Sequence, residues 1–339
     1  MLAVVKEYKG EGFTLMDVPV PKIGPDDVLI KVKAVGICGS DMPIFSGVRE
    51  VPFPMIPGHE FSGTIEETGS NVKKFKIGDR VTPGLVINCG ECIYCRQGYE
   101  SLCENILETG IHVDGAFAEY VKVPAKTVHV LPDTMTYEQA ASIDPIASAY
   151  RPVKKANIGS EDTVLVFGPG PIGIYTVQCA KAEGAKKIII AGVNGDEERL
   201  ELAKKLGADY AINISEVDMI QAVKDVNDGL LPDIVFEASG HPSSVQMCLD
   251  SIKANGKIVF IGIQHQSVDL ELAKIVRQEI KVEGSICYTW KDYKECIDLV
   301  SSGRVDTDNM VTHKFDLKDI GKGIEVMKNR EAVKVILYP

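Results

Sequence analysis

The alternation of apolar and polar positions changes its rhythm near residue 150. Before that point, short β-rich runs such as DDVLIKVKAVGIC (residues 26–38), FSGTIEETG (61–69) and AFAEYVKVPA (116–125) are separated by clusters of Gly, Pro and Asp, with little helical periodicity. This pattern predicts an irregular β-barrel or sandwich. Beyond residue 150, strand-like runs alternate with helical ones: DTVLVFG, PIGIYTVQCAKAEGA, KKIIIAG, DEERLELAKKLGA, DYAINI, EVDMIQAVKDVNDG, PDIVFEA, HPSSVQMCLDSIKANG and GKIVFIGI. Strand and helix repeated in this way predict a doubly wound parallel sheet. Val245, Cys248, Leu249 and Ile252 follow the i, i+3, i+4, i+7 spacing of one apolar helix face, which assigns Cys248 to the core. From about residue 286 the chain returns to mixed segments and ends in the strand-like AVKVILYP, expected to pack back on the first part.

A length of 339 residues fits two domains at roughly 100–200 residues each. The net charge of −11 argues against a nucleic-acid or anionic-membrane partner, both of which need clustered Lys and Arg, and favours a small-molecule partner. Residues 163–180 carry no charge, but Gly168, Pro169, Gly170, Pro171 and Gly173 interrupt them, so a strand, a turn and a helix fit better than a membrane span. The opening MLAVVKEYKG is broken by charge too early for a secretory signal, and a cytoplasmic location is expected.

In VLVFGPGPIGIYTV the glycines at 168, 170 and 173 form G-x-G-x-x-G between an apolar strand and an apolar-faced helix. Gly168 permits the tight turn, Gly170 lets backbone approach a pyrophosphate, and Gly173 lets the helix pack close to the sheet. Pro171 and Ile172 complete the loop at the helix N-terminus, and Gly262 lies at the end of a later strand. NAD or NADP is the expected cofactor. An NAD site commonly carries an acid about 20 residues further on, at the end of the second strand. Here that end is Gly192, with Asn194 and Arg199 close enough in sequence to receive a 2′-phosphate. The alternative is that Asp196 turns back to the ribose while Arg199 covers the adenine or pairs with Glu198.

Nine cysteines include four within NCGECIYCRQGYESLC, at positions 89, 92, 95 and 103. With no export signal, this spacing favours metal ligation over disulfides. A ferredoxin-type run would place its fourth cysteine after three residues and before proline, whereas here it follows seven residues and precedes Glu104. Four thiolates at short spacing suit a tetrahedral zinc with no open position, which is a structural site. A catalytic zinc needs an open position, and candidates outside the cluster are Cys38, His59, Glu60 and Asp144.

The motifs GICGSDMPIFSG, GHEFSG, GDRV, the four-cysteine lobe, GAFAEY, GPGPIG and EASG occur in one order over nearly the full length. In this the chain resembles the zinc-dependent medium-chain dehydrogenase/reductase family, in its polyol and sugar-alcohol-phosphate branch. The resemblance implies a GroES-like catalytic domain at 1–148 with a zinc lobe at 88–104, a Rossmann domain at 149–285, and a return to the catalytic domain at 286–339. It also implies two zincs per chain, one catalytic and one structural, and a homodimer or homotetramer. By position, Cys38 and His59 would ligate the catalytic zinc, Glu60 would be a ligand or an adjacent carboxylate, and Asp144 would take the remaining place. Ser40 would sit beside the substrate hydroxyl and carry its proton away.

Two departures from the family pattern bear on the substrate. Polyol dehydrogenases commonly have glutamate where Asp144 stands, whereas aspartate there matches threonine dehydrogenase. A relay histidine is often found where this chain has Pro43, and proline cannot carry a proton. CGSDMP looks like galactitol-phosphate dehydrogenase, and AGVNGDEERLELAKKLGAD looks like arabitol-phosphate dehydrogenase. Arg49, Arg151 and Lys291 are candidates to hold a phosphate, and Tyr120, Tyr288 and Trp290 are aromatic residues without an assigned role. The expectation is an NAD(P)- and zinc-dependent oxidoreductase of a sugar alcohol or its phosphate. The alternatives are a threonine or amino-alcohol dehydrogenase, or a non-catalytic nucleotide-binding protein on the same fold.

Overall fold

The computed structural model describes residues 1–339. They form two compact units: one comprises Met1–Asp144, Thr289–Ser301 and Thr307–Pro339, the other Pro145–Tyr288 and Ser302–Asp306. The chain beyond residue 286 thus divides between them. Ser302–Asp306 joins the second unit, where the Asp306 amide donates to Gln178 Oε1 at 2.7 Å and Gln178 Nε2 donates back to the Asp306 carbonyl at 3.1 Å.

The first unit is β-rich. The strand Asp27–Ile37 is the spine of a seven-stranded sheet. On one side it pairs antiparallel with Glu60–Thr68, which continues to Arg80–Pro83 and Val128–Val130; on the other it pairs antiparallel with Lys334–Tyr338. Tyr120–Pro124 also pairs with the spine. The outermost strand, Val311–Asp316, runs parallel to Lys334–Tyr338. Val4, Ile30, Phe61, Ile65, Phe117 and Val335 fill the core beside this sheet, and the terminal strand closes it as the apolar run AVKVILYP suggests. Burial of such side chains stabilises each by about 1.5–3 kcal/mol.

The second unit is a six-stranded parallel sheet. Numbered within this unit, its strands are β1 (Thr163–Phe167), β2 (Lys187–Gly192), β3 (Tyr210–Asn213), β4 (Ile234–Glu237), β5 (Lys257–Phe260) and β6 (Lys281–Gly284). Their spatial order is 3-2-1-4-5-6, the doubly wound arrangement, whose order reverses between β1 and β4. Helices α1 (Pro171–Ala182), α2 (Glu197–Lys205), α3 (Met219–Val226) and α4 (Pro242–Asp250) follow the first four strands. Cys248 and Leu249 on α4 pack with Leu165, Ile189 and Val235 in the core. Ile252, the fourth residue of the apolar stripe, lies just past the end of α4 and joins the same cluster. No helix is long and apolar enough to cross a membrane.

Candidate active site

The spine strand ends at Ile37 and delivers Cys38 into a tight turn. The Cys38 amide donates to Asp41 Oδ2 at 2.8 Å and the Asp41 amide donates to the Cys38 carbonyl at 3.1 Å, so the turn closes on both sides. Ser40 precedes the short helix Asp41–Phe45 and hydrogen-bonds to Cys38. Antiparallel pairing sets Gly36 opposite Glu60, which brings His59 and Glu60 beside Cys38 across more than twenty residues of sequence. The thiol, one imidazole nitrogen and one carboxylate oxygen of Cys38, His59 and Glu60 lie within 4.8 Å of one another.

The surroundings of this cluster are unusually charged for a buried place. Asp41 is fully buried, with its Oδ1 3.9 Å from His59 Nδ1, and neither atom has a hydrogen-bond partner. The ammonium of Lys334, at the start of the last strand, contacts Glu60 Oε2 and donates to the Ile37 carbonyl at 3.3 Å. It reaches Glu60 because the spine has no side chain at Gly36, where a Cβ would stand 2.6 Å from Lys334 Nζ and 2.7 Å from Glu60 Oε2.

Burial pushes the Cys38 thiol above its usual range, and the Asp41 charge adds to this while Lys334 opposes it. Burial also raises the Asp41 carboxyl, against the pull of His59. It lowers the Lys334 ammonium to about 8, although Cys38 and Asp41 draw it back up. Buried donor atoms without partners need an explanation, and a soft thiolate, an imidazole and a carboxylate in one place form a donor set suited to zinc. Asp144 lies outside this cluster of three. It is buried in the first turn of the helix Ile143–Ala156, and its charge helps raise the pKa of Tyr293.

Cys89, Cys92, Cys95 and Cys103 form a second cluster, their sulfurs within 4.8 Å of one another and none in a disulfide. Cys92 and Cys95 sulfurs are 3.4 Å apart, and those of Cys89 and Cys95 3.9 Å. A tetrahedron with arms of about 2.3 Å has edges of about 3.8 Å, so the four sulfurs fit a zinc ion. Backbone amides already point at them: Glu91 and Cys92 donate to Cys89 Sγ at 3.5 and 3.4 Å, and Cys89 donates to Cys103 Sγ at 3.2 Å. The amides of Glu91 and Cys92 hold the Cys89 thiol down to about 6, whereas burial pushes Cys103 up to about 11.

In the second unit, Gly168 follows β1 with a φ of +94°, and a Cβ there would lie 2.8 Å from the Ser239 backbone. Gly173 packs α1 against the loop so closely that a Cβ would overlap the Gly168 carbonyl. Gly170 faces open space, and Pro171 and Ile172 begin α1. The loop meets the steric demands of a pyrophosphate cradle at a helix N-terminus. Gly262 abuts Glu237, a buried carboxylate at the end of β4 that accepts from Ser239 and Gly240 amides and from the Ser239 and Ser244 hydroxyls. Asp196 is buried in the β2–α2 turn, accepting the Val193 amide at 3.1 Å.

Three participants escaped the sequence reading. Asp41 stands in the quoted CGSD motif, three residues after Cys38. Lys334 is the single charge inside an apolar strand, a position that calls for a partner. Glu237 sits in EASG and ties the loops after β4 and β5 together. Among the cations considered for a phosphate, Arg49 bonds Glu108 at 3.3 Å and its charge reaches Asp41. Lys291 is exposed beside Glu295, and Arg151 is half-buried on the helix Ile143–Ala156. Tyr288 is core, Tyr120 lies under Lys31, and Trp290 stacks on His129 at 4.7 Å.

Residues 24–133 match the family model of the alcohol dehydrogenase GroES-like domain, and residues 171–302 match that of the zinc-binding dehydrogenases. The chain is 36% identical to a sorbitol dehydrogenase of Halalkalibacterium halodurans, over all of this chain and 99% of the relative. It is also 36% identical to a D-arabitol-phosphate dehydrogenase of Enterococcus avium, over 99% and 97% of the two chains. The crystal structure of galactitol-1-phosphate dehydrogenase from Escherichia coli superposes with a TM-score of 0.92 at 29% identity, covering both chains completely. With these matches along its whole length, the chain belongs to the zinc-dependent medium-chain dehydrogenase/reductase family and is an NAD(P)-dependent zinc alcohol dehydrogenase.

Proposed function

We propose that this enzyme oxidises a secondary alcohol of the sugar-alcohol or sugar-alcohol-phosphate class, with Cys38, His59 and Glu60 as its catalytic metal site. The observation that carries the site is the convergence of these three donors within 4.8 Å, His59 and Glu60 buried and Cys38 half-buried. When bound, zinc supplies Lewis acidity that eases loss of the alcohol proton, and NAD(P) supplies the hydride acceptor. Cys38 and His59 hold the metal, and Asp41 orients the His59 ring from behind. Glu60 is a ligand or an adjacent carboxylate; Lys334 balances its charge. Ser40 receives the hydroxyl proton and passes it outward from its half-buried position. Asp144 stands back from the three donors and serves the site from outside the direct ligand set. The loop Gly168–Gly173 binds the dinucleotide pyrophosphate.

Cys89, Cys92, Cys95 and Cys103 hold a second, structural zinc, which contributes folding energy to the lobe. The polyol assignment follows the relatives' substrates. The chain assembles as a homodimer or homotetramer, a reading favoured by β6, an edge strand with a single neighbour and with Val282 exposed. Nine cysteines without a disulfide favour the cytoplasm.

The test is nicotinamide absorbance of zinc-loaded protein with a panel of polyols, polyol phosphates and threonine, together with metal content. Turnover of a polyol or its phosphate with two zincs per chain is expected. Turnover of threonine alone would overturn the substrate class, and one zinc per chain with no turnover would overturn the catalytic site.

A further inference from the structure

Arg49 and Glu108 meet beside the two stretches of chain that carry the metal donors. After Cys38 and Ser40 the short helix Asp41–Phe45 turns the chain, and the amides of Val48 and Arg49 both donate to the Pro43 carbonyl, at 2.9 and 3.0 Å. Arg49 is thereby folded back towards the helix that begins at Asp41, and its charge is felt there. Glu108 ends the short strand Leu107–Glu108, and the loop after it packs on the residue that precedes His59. A Cβ at Gly110 would stand 2.6 Å from the Gly58 carbonyl, and that carbonyl accepts the Ala116 amide at 2.8 Å.

Arg49 Nη2 donates to Glu108 Oε2 at 3.3 Å. The same oxygen faces His112 Nδ1 at 3.5 Å, in a turn closed by the His112 amide, which donates to the Glu108 carbonyl at 2.8 Å. The second carboxylate oxygen, Oε1, accepts no hydrogen bond from the chain. A guanidinium, a carboxylate and an imidazole thus form a bracket, with the carboxylate 15% exposed between two more open partners.

A hydroxyl both gives and accepts a hydrogen bond, so a run of hydroxyls can use the guanidinium N–H groups and the spare carboxylate oxygen together. A phosphate dianion only accepts. It would have to compete with Glu108 for Arg49 while being repelled by that carboxylate. Other cations that touch residues 38–60 are committed as well: Lys6 to the carbonyls of Gly10, Gly12 and Phe45, Lys9 to Glu50, Lys328 to Glu11 and Lys334 to Glu60. We infer that Arg49, Glu108 and His112 form the subsite for the substrate hydroxyls beyond the reacting carbon, and that this bracket selects an uncharged polyol over its phosphate. The inference rests on the reading of Cys38, His59 and Glu60 as the catalytic metal site.

The test compares steady-state rates of the zinc-loaded full chain on pentitols and hexitols, on their terminal phosphates, and on 2-butanol, a secondary alcohol with no further hydroxyl. The best polyol is expected to exceed the best polyol phosphate by at least ~10-fold in kcat/KM, a comparison that needs no variant. Glu108→Gln, which removes the charge and keeps the shape, should raise KM for the polyol more than it lowers kcat, and should narrow the gap to the phosphate. A bracket that only braced the fold would instead lower the rates on polyol and 2-butanol alike. That outcome, a preference for the phosphate, or turnover of 2-butanol with no polyol would overturn the subsite while leaving the metal site standing. No turnover of any alcohol would remove the metal-site reading and the subsite with it.

Discussion

The ammonium of Lys334 rests against the carboxylate of Glu60, and both side chains are only 2% exposed. The two residues come from strands on opposite edges of the spine strand and meet over Gly36. A buried pair of this kind adds little net stability over an apolar pair, but removing one partner leaves an uncompensated charge. Lys334→Met should therefore lower stability by about 3–5 kcal/mol. Urea unfolding of the metal-free protein measures this, and an unchanged midpoint would show that Glu60 does not need its cation. Gly36→Ala should act in the same direction by pushing the pair apart.

The two metal clusters should separate cleanly by mutation. Cys38→Ser should abolish turnover and remove one zinc per chain, with the circular dichroism spectrum unchanged. Retained turnover would exclude Cys38 as a ligand.

Cys95→Ser should remove the other zinc and lower the melting temperature. A fully stable variant with no turnover would mean that the lobe serves chemistry, not structure.

Within the lobe, the Cys89 and Cys103 thiols differ before any metal arrives. Cys89 is held near 6 by two amides and Cys103 is raised to about 11 by burial. In chelator-treated protein at pH 7, Cys89 is mostly thiolate and should react with iodoacetamide well before Cys103. Mass spectrometry of the labelled peptides reads the order, and prior labelling of Cys103 would contradict it. The Cys89 thiolate is lost as pH falls through about 6, so zinc uptake by the lobe should weaken there.

His129 stacks against both Trp290 and Tyr293, with ring centroids 4.7 and 4.8 Å away, and burial lowers it to about 4. The unfolded chain binds this proton near 6.5 and the folded chain does not. Stability should therefore fall as pH drops from 6.5 towards 4, by roughly 3 kcal/mol at full effect. Trp290 is the only tryptophan and reports unfolding by fluorescence. Replacing His129 with Phe should flatten the pH dependence; an unaltered slope would place its origin elsewhere.

Much of this molecule was legible in the sequence because its signals are local. Alternating strands and helices mark the parallel sheet, three glycines mark the phosphate loop, and four closely spaced cysteines mark the lobe. The pairing of Cys38 with His59 and Glu60 was legible only through the motifs GICGSD and GHEFSG, because an antiparallel register brings them together and spacing does not encode register. Lys334 and Asp41 were missed for a related reason. A charge inside an apolar strand announces that a partner exists, but the partner lies 274 residues away. Asp144 shows the reverse: its type and place in the family pattern suggested a ligand, while the three-donor cluster forms without it.

The division of the first unit among separate stretches of chain sets an order of assembly. The second unit is nearly continuous: residues 145–288 supply its whole parallel sheet, and only Ser302–Asp306 joins it later, well before the last strand of the first unit. The catalytic sheet has to wait. Until the strand Lys334–Tyr338 emerges, one edge of the spine is open and Glu60 has no cation beside it. A stalled or prematurely ended chain would thus carry a complete nucleotide-binding unit and an unfinished metal pocket. The strand Lys334–Tyr338 decides whether the carboxylate of Glu60 is neutralised where three donor side chains meet.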